Sequence, residues 1–216
     1  MQGTVAYTDQ NGCVRLVAAA GAPSEEVYCL PTEDMSKTPE VGKEVGPQLV
    51  WLPDGRLEIT VFRMDPSEMQ DPTTAPPLVA GWQQILDVRT GEVEDVPAAE
   101  VPSAPNVGTE PTVSPDGKQV TTTSDQLSGK VEVVLTDDSG SRTLLSAHGP
   151  GKYMYSIRAF WAPNWQWVAA DDGRILVITT DDPSTTRVLV DEPRGGRSGG
   201  TIGPTFAVTA DNILKP

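Results

Sequence analysis

Thr112-Val113-Ser114-Pro115-Asp116-Gly117-Lys118 decides the fold, because the chain repeats it. Val50-Trp51-Leu52-Pro53-Asp54-Gly55-Arg56 aligns with it, as does Phe160-Trp161-Ala162-Pro163-Asn164-Trp165-Gln166. A worn fourth copy is Ala207-Val208-Thr209-Ala210-Asp211-Asn212. Counted on Pro53, Pro115, Pro163 and Ala210, the copies lie 62, 48 and 47 positions apart. The chemistry is that of a tight turn. Proline presets φ at the second position, aspartate bonds the local backbone, and glycine closes the turn. An apolar β-rich run precedes each copy and another follows it, so each copy is the tip of a hairpin. Pro53, Asp54, Gly55, Pro115, Asp116 and Gly117 are therefore structural residues.

Outward from these turns the chain continues as short β-rich runs ended by Gly, Pro, Asp or Asn. Lys130-Val131-Glu132-Val133-Val134-Leu135 and Arg174-Ile175-Leu176-Val177-Ile178-Thr179 are examples. Helical periodicity is nearly absent, and Val79 to Asp87 reads as a strand as readily as a helix. Twenty glycines and twenty prolines in 216 residues fit a turn-rich, all-β chain. Repeats at this period indicate a propeller or a related array.

The copy at Pro111 to Asp125 resembles the TolB-like, WD-repeat-like propeller repeat, whose core reads Pro-x-Trp-Ser-Pro-Asp-Gly before an apolar strand. Val5 to Gly12 resembles the second strand and following turn of the same repeat. Leu52 and Ala162 depart from it in place of Ser, and Asn164-Trp165 departs in place of Asp-Gly. The resemblance spans nearly the whole chain and implies a small β-propeller of four blades, each of four antiparallel strands. It implies nothing about activity, because such repeats serve many functions.

On this reading 1–216 is a single domain. Blade two covers 47–97, blade three 110–145 and blade four 157–190. The first blade is shared between the termini: 3–30 supplies its second to fourth strands and 204–214 supplies its first. Pairing of the terminal strands would close the ring. The alternative is a segment of a larger propeller.

Cys13 and Cys29 are the only cysteines. They flank a hairpin with its tip at Ala20-Gly21-Ala22-Pro23, and positions summing to 42 face each other across Gly21. The pair meets that sum, so a disulfide is expected, and with it an oxidising, extracytoplasmic setting. No metal-ligand spacing is present, and two cysteines with a single histidine, His148, do not make a zinc site. Neither a metal nor a cofactor is expected.

The charge balance excludes one class of partner. Sixteen basic against thirty acidic residues give a net charge of -14, a field that repels phosphate backbones. No apolar run approaches the ~20 residues of a spanning helix, so membrane insertion is not expected. Met1-Gln2-Gly3-Thr4 has neither the basic nor the apolar part of a signal peptide, so the chain reads as cytosolic or as the mature part of an exported or anchored protein.

Single motifs carry little chemistry. Asp137-Asp138, Asp171-Asp172 and Asp181-Asp182 lack the alternation of a calcium loop and read as hairpin turns. His148 lies in a Gly/Pro-rich stretch without a nucleophile elbow, so no hydrolytic triad is read. Trp161 occupies the apolar position shared with Trp51 and Val113 and is expected in the core. Trp165, at the glycine position of its turn, is expected to be exposed. Arg194-Gly195-Gly196-Arg197 lacks the context of a phosphate loop and reads as a connection between blades.

Connection lengths point to one end of the sheets. The turns within repeats are tight, whereas Pro31–Gly46, Pro97–Glu110, Ser146–Ile157, Asp191–Gly203 and Met64–Gly81 are long. Long connections tend to carry function. Their end is the expected contact surface for a protein or small ligand, with Tyr153, Tyr155, Met64, Met69, Arg194 and Arg197 as candidate binding residues. Glu33, Asp34, Glu40, Glu44, Asp65, Glu68 and Asp71 surround them and favour a cationic partner. A non-catalytic, monomeric binding or scaffolding domain is the leading expectation. An enzyme of the metal-dependent hydrolase class and a ligand-free structural spacer are the alternatives.

Overall fold

A computed structural model describes residues 2–9, 11–30, 44–64, 78–97, 100, 111–125, 128–148, 158–171, 174–191, 206–211 and 213–214. They form four antiparallel sheets and one short 3-10 turn, Pro183–Thr185. Sheet I contains β1 (Thr4–Thr8), β2 (Cys13–Ala18), β3 (Glu25–Cys29) and β15 (Phe206–Thr209), in the order β15-β1-β2-β3. Sheet II runs in sequence order through β4 (Glu44–Trp51), β5 (Leu57–Met64), β6 (Leu78–Asp87) and β7 (Glu92–Asp95). Sheet III contains β8 (Gln119–Asp125), β9 (Lys130–Asp137) and β10 (Gly140–His148). Sheet IV contains β11 (Arg158–Trp161), β12 (Trp167–Asp171), β13 (Ile175–Thr179) and β14 (Arg187–Val190). No helix among the described residues is long and apolar enough to cross a membrane.

The two ends of the sequence meet as expected. β15 pairs β1 from Thr4↔Thr209 to Tyr7↔Phe206. Thr4 reinforces the join, donating through Oγ1 to the Asp211 carbonyl at 3.0 Å and accepting from the Ile213 N–H at 3.1 Å. Gly3 is required here. Its φ is +125°, and a Cβ would lie 2.6 Å from the Thr209 carbonyl oxygen.

Side-chain alternation sets how the sheets stack, since successive residues of a strand point to opposite faces. In β1, Val5 and Tyr7 join a core with Phe160, Trp167, Ile175 and Val177, between sheets I and IV. Ala6 turns the other way, into a core with Leu49, Leu57, Ile59 and Leu86, between sheets I and II. β13 splits likewise, with Leu176 and Ile178 packing on Val133 and Leu135 between sheets IV and III. Sheets I and IV are thus apolar on both faces, and the packing order is II-I-IV-III.

The far faces of the outer sheets differ. On sheet II the alternate positions of β5 are Glu58, Thr60 and Phe62; Thr60, Phe62 and the neighbouring Gln83 are buried, and Gln83 Nε2 donates to Thr60 Oγ1 at 3.0 Å. On sheet III they are Glu132, Val134 and Thr136, where Glu132 pairs with Lys130 at 2.8 Å. Among the described residues no apolar cluster joins sheet II to sheet III. Among the described residues the four sheets are therefore separate, with three apolar interfaces between them, and do not close the ring read from the sequence.

Sheet III departs most from the sequence reading. Its first strand shrinks to an isolated bridge, Val113↔Gln119, with the Val120 N–H bonded to the Thr112 carbonyl at 2.7 Å. Val113 is 50% exposed, whereas Trp161 at the same motif position is 1% exposed. The cause is position in the stack: Trp161 lies between sheets IV and III, and no described sheet covers Val113. Three boundaries also move. His148 is the last residue of β10, Met64 ends β5, and Gly81 lies inside β6, so the connection between β5 and β6 is 65–77.

Cys13 and Cys29 face each other at the end of the β2–β3 hairpin and form a disulfide. The sum rule holds there and at Val14↔Tyr28, but Arg15↔Glu26 and Leu16↔Glu25 sum to 41. A β-bulge at Val27 absorbs the extra residue. Unreduced, denatured protein should show no free thiol, and reduction should lower stability by about 3 kcal/mol, the chain-entropy value for a loop of this length. Two titratable sulfhydryls would refute the bridge.

Candidate functional site

The tight-turn end is built from repeated local chemistry. Leu52 and Ser114 accept from the Gly55 and Gly117 N–H groups at 3.0 and 2.9 Å, and Ala162 accepts from Trp165 at 2.8 Å. Gly55 and Gly117 both have φ +84°; Trp165 takes the same region at +59° and is 37% exposed, as expected for a residue in the glycine slot. A non-glycine residue there carries a steric cost of about 1–2 kcal/mol. Asn164 recovers part of it, its Nδ2 donating to the Gln2 carbonyl at 2.9 Å. Two of the Asp pairs are turns as expected, Asp137 and Asp182 accepting from the Ser139 and Ser184 N–H groups at 2.8 and 3.1 Å, whereas Asp171 ends β12 and Asp172 lies outside the described residues.

Arginines stitch this end from sheet to sheet. Arg187 of sheet IV donates to the Ala19 and Ala20 carbonyls of sheet I. Arg142 of sheet III reaches the Thr180 carbonyl of sheet IV at 2.8 Å. Tyr28 of sheet I donates to Gln84 Oε1 of sheet II at 2.9 Å; partial burial raises its pKa.

Asp116 is the most perturbed acid of this end. The Lys118 ammonium at 2.8 Å, together with Ser114 Oγ at 2.5 Å, holds its carboxyl at about 2, below the ordinary 3.8. With the folded pKa depressed, the turn keeps this contribution above about pH 4 and loses it as pH falls through about 2. A carboxyl NMR titration should find the low midpoint in the native protein and a rise toward 3.8 in Lys118→Ala. An unchanged midpoint in that variant would remove Lys118 as the cause.

Shallow recesses open on the described surface. One, about 320 Å³, lies among Ala20, Val177, Thr179, Thr185 and Arg187. Another, about 400 Å³, lies among Arg56, Ile85, Asp87, Glu92, Val93 and Glu94. Neither brings a nucleophile beside a general base. Arg56 is committed to Asp54 at 2.8 Å and Glu94 at 3.3 Å, which raise its pKa.

The third cluster surrounds the disulfide. Asp9, 4% exposed, accepts from the Asn11 and Cys13 N–H groups at 2.8 and 3.0 Å and lies 3.6 Å from the Arg15 guanidinium. Arg15 also pairs with Glu26 at 3.4 Å and donates to Ser24 Oγ at 3.1 Å. Across a regular hairpin, Glu26 would point away from Cys29, three positions on. The Val27 bulge returns it to the disulfide's face, and a carboxylate oxygen of Glu26 and both sulfurs lie within 4.8 Å of one another. The sequence concealed this neighbourhood because nothing in it marks the bulge.

Of the candidate binding residues, Tyr153, Tyr155, Met69, Arg194 and Arg197 lie outside the described residues, as do the acids Glu33, Asp34, Glu40, Asp65, Glu68 and Asp71. Met64 and Glu44 are described only as backbone, at the end of β5 and the start of β4. No protein-family model matches the chain, and no curated protein matches it in sequence.

Proposed function

We propose that this domain is a propeller-like scaffold of the TolB-like type, held outside the cytoplasm, that binds a cationic protein segment at the long-connection end of its sheets. The observation that carries the reading is strand order. In an antiparallel sheet the connections leave alternately by opposite edges. The short turns 52–56, 114–118 and 162–166 therefore leave by one edge of their sheets, and 65–77 leaves by the other. Connections between sheets, 30–43, 96–112 and 191–205, also leave by the edge opposite the short turns. One end is pinned by turn hydrogen bonds and arginine stitches; the other receives the length. The disulfide supports an oxidising setting.

Tyr153 and Tyr155 supply rigid aromatic area in this reading, Met64 and Met69 adaptable apolar contact, and Arg194 and Arg197 hydrogen-bond donors. The net charge of -14 steers a basic partner. Peptides selected on the immobilised protein from a random display library test it. Enriched sequences should be basic, weaken in high salt, lose binding to the Tyr153→Ala/Tyr155→Ala protein and keep binding to Trp165→Ala. Peptides lost with Trp165→Ala instead, or tight heparin binding at physiological salt, would move the site to the other end or overturn the charge argument.

A further inference from the structure

We propose that the reduced Cys13/Cys29 pair, completed by the Glu26 carboxylate, is a binding site for a thiophilic divalent cation of the zinc class. In the oxidised protein the two sulfurs bond each other and no thiolate is present. A dithiol reductant changes this: one of its sulfurs attacks the bridge, and its second resolves the mixed disulfide. The reductant leaves as a cyclic disulfide, and two electrons and two protons pass to Cys13 and Cys29. A metal ion then displaces both thiol protons to solvent.

The surroundings suit a cation. The register holds Cys13 and Cys29 opposite each other, and a carboxylate oxygen of Glu26 lies within 4.8 Å of both sulfurs, which are bonded to each other in the oxidised protein. Two thiolates and a carboxylate suit zinc and leave a fourth position to water. Cys13 is buried and Cys29 exposed, so the site has an inner wall and an open approach. Arg15 would have to release Glu26, and it has other partners in Asp9 at 3.6 Å and Ser24 Oγ at 3.1 Å. Competition by Arg15 for Glu26 makes the site respond to two substitutions in opposite directions.

Protein reduced with a dithiol and desalted anaerobically is titrated with Co²⁺. A near-ultraviolet thiolate-to-cobalt band should saturate at one equivalent and disappear when Zn²⁺ is added, while the oxidised protein gives no band. Glu26→Gln, which leaves the bridge intact, should weaken binding after reduction by at least the roughly tenfold that losing even an outer-shell partner costs, because here a direct ligand is lost. Arg15→Gln should tighten it. If reduction loosens the strands, either metal should restore the far-ultraviolet strand signal, because binding is then coupled to folding. Absence of the band, equal affinity in Glu26→Gln, or loosened strands that metal does not restore would each overturn the proposal.

Discussion

Removing residues 205–216 should abolish the monomeric folded state. β15 pairs along the outer edge of β1 from Thr4 to Tyr7. It also delivers Phe206 and Val208 to the core between sheets I and IV, with Phe206 stacked on Phe160 at 5.3 Å between ring centres. Loss of the strand would bare an edge whose residues Thr4 to Thr8 are all buried, a template for aggregation. Phe206→Ala isolates the packing part and should cost about 3–5 kcal/mol, the usual range for a buried phenylalanine. Size-exclusion chromatography and denaturant unfolding check both. A truncated protein that stays monomeric with an unchanged midpoint would show that β15 holds nothing together.

Trp161→Ala should be comparably severe. The side chain is 1% exposed between sheets III and IV, and its indole N–H donates to the Lys118 carbonyl at 3.2 Å. Its own backbone N–H bonds the Pro111 carbonyl at 2.8 Å. Truncation empties a large volume in the only described core that binds sheet III, at about 3–5 kcal/mol. Trp161→Phe should cost less: it removes only the indole donor from the Lys118 carbonyl, which still accepts from the Ser114 N–H at 2.9 Å. Hydrogen exchange should then localise: β8 and β9 lose protection while β1 and β5 keep theirs. Uniform loss across all four sheets would mean that sheet III is not a separable unit.

Local chemistry made much of this fold legible. Pro-Asp-Gly turns located the hairpins, and apolar β-rich runs located β5, β9 and β13 to within a residue or two at most ends. The terminal pairing was legible because three strands at one end of the sequence lacked the fourth found at the other. What escaped was relational. Val113 matches Trp51 and Trp161 in motif position, but whether such a residue is covered depends on the neighbouring sheet. The alternations Glu58-Thr60-Phe62 and Glu132-Val134-Thr136 were present in the sequence, but they do not say what covers those faces, and Thr60 and Phe62 are buried. Glu26 was missed because a bulge changes which face a residue occupies. The long connections were readable as lengths, and the residues in them carry the binding proposal on type alone.

The β1–β15 pair has a consequence for synthesis. The two strands that pair are separated by about 200 positions, as the Thr4–Asp211 hydrogen bond records with a separation of 207. At the roughly 5–20 residues per second of translation, β1 emerges about ten to forty seconds before its partner. During that interval β1 and β2 can pair as a hairpin, but the outer backbone groups of β1 have no strand to receive them. Vectorial folding therefore cannot complete the first sheet first; the earliest sheet in the sequence is the last to be finished. A nascent chain stalled before Phe206 should expose that edge to any strand-capturing chaperone, and release of the final residues should end the exposure.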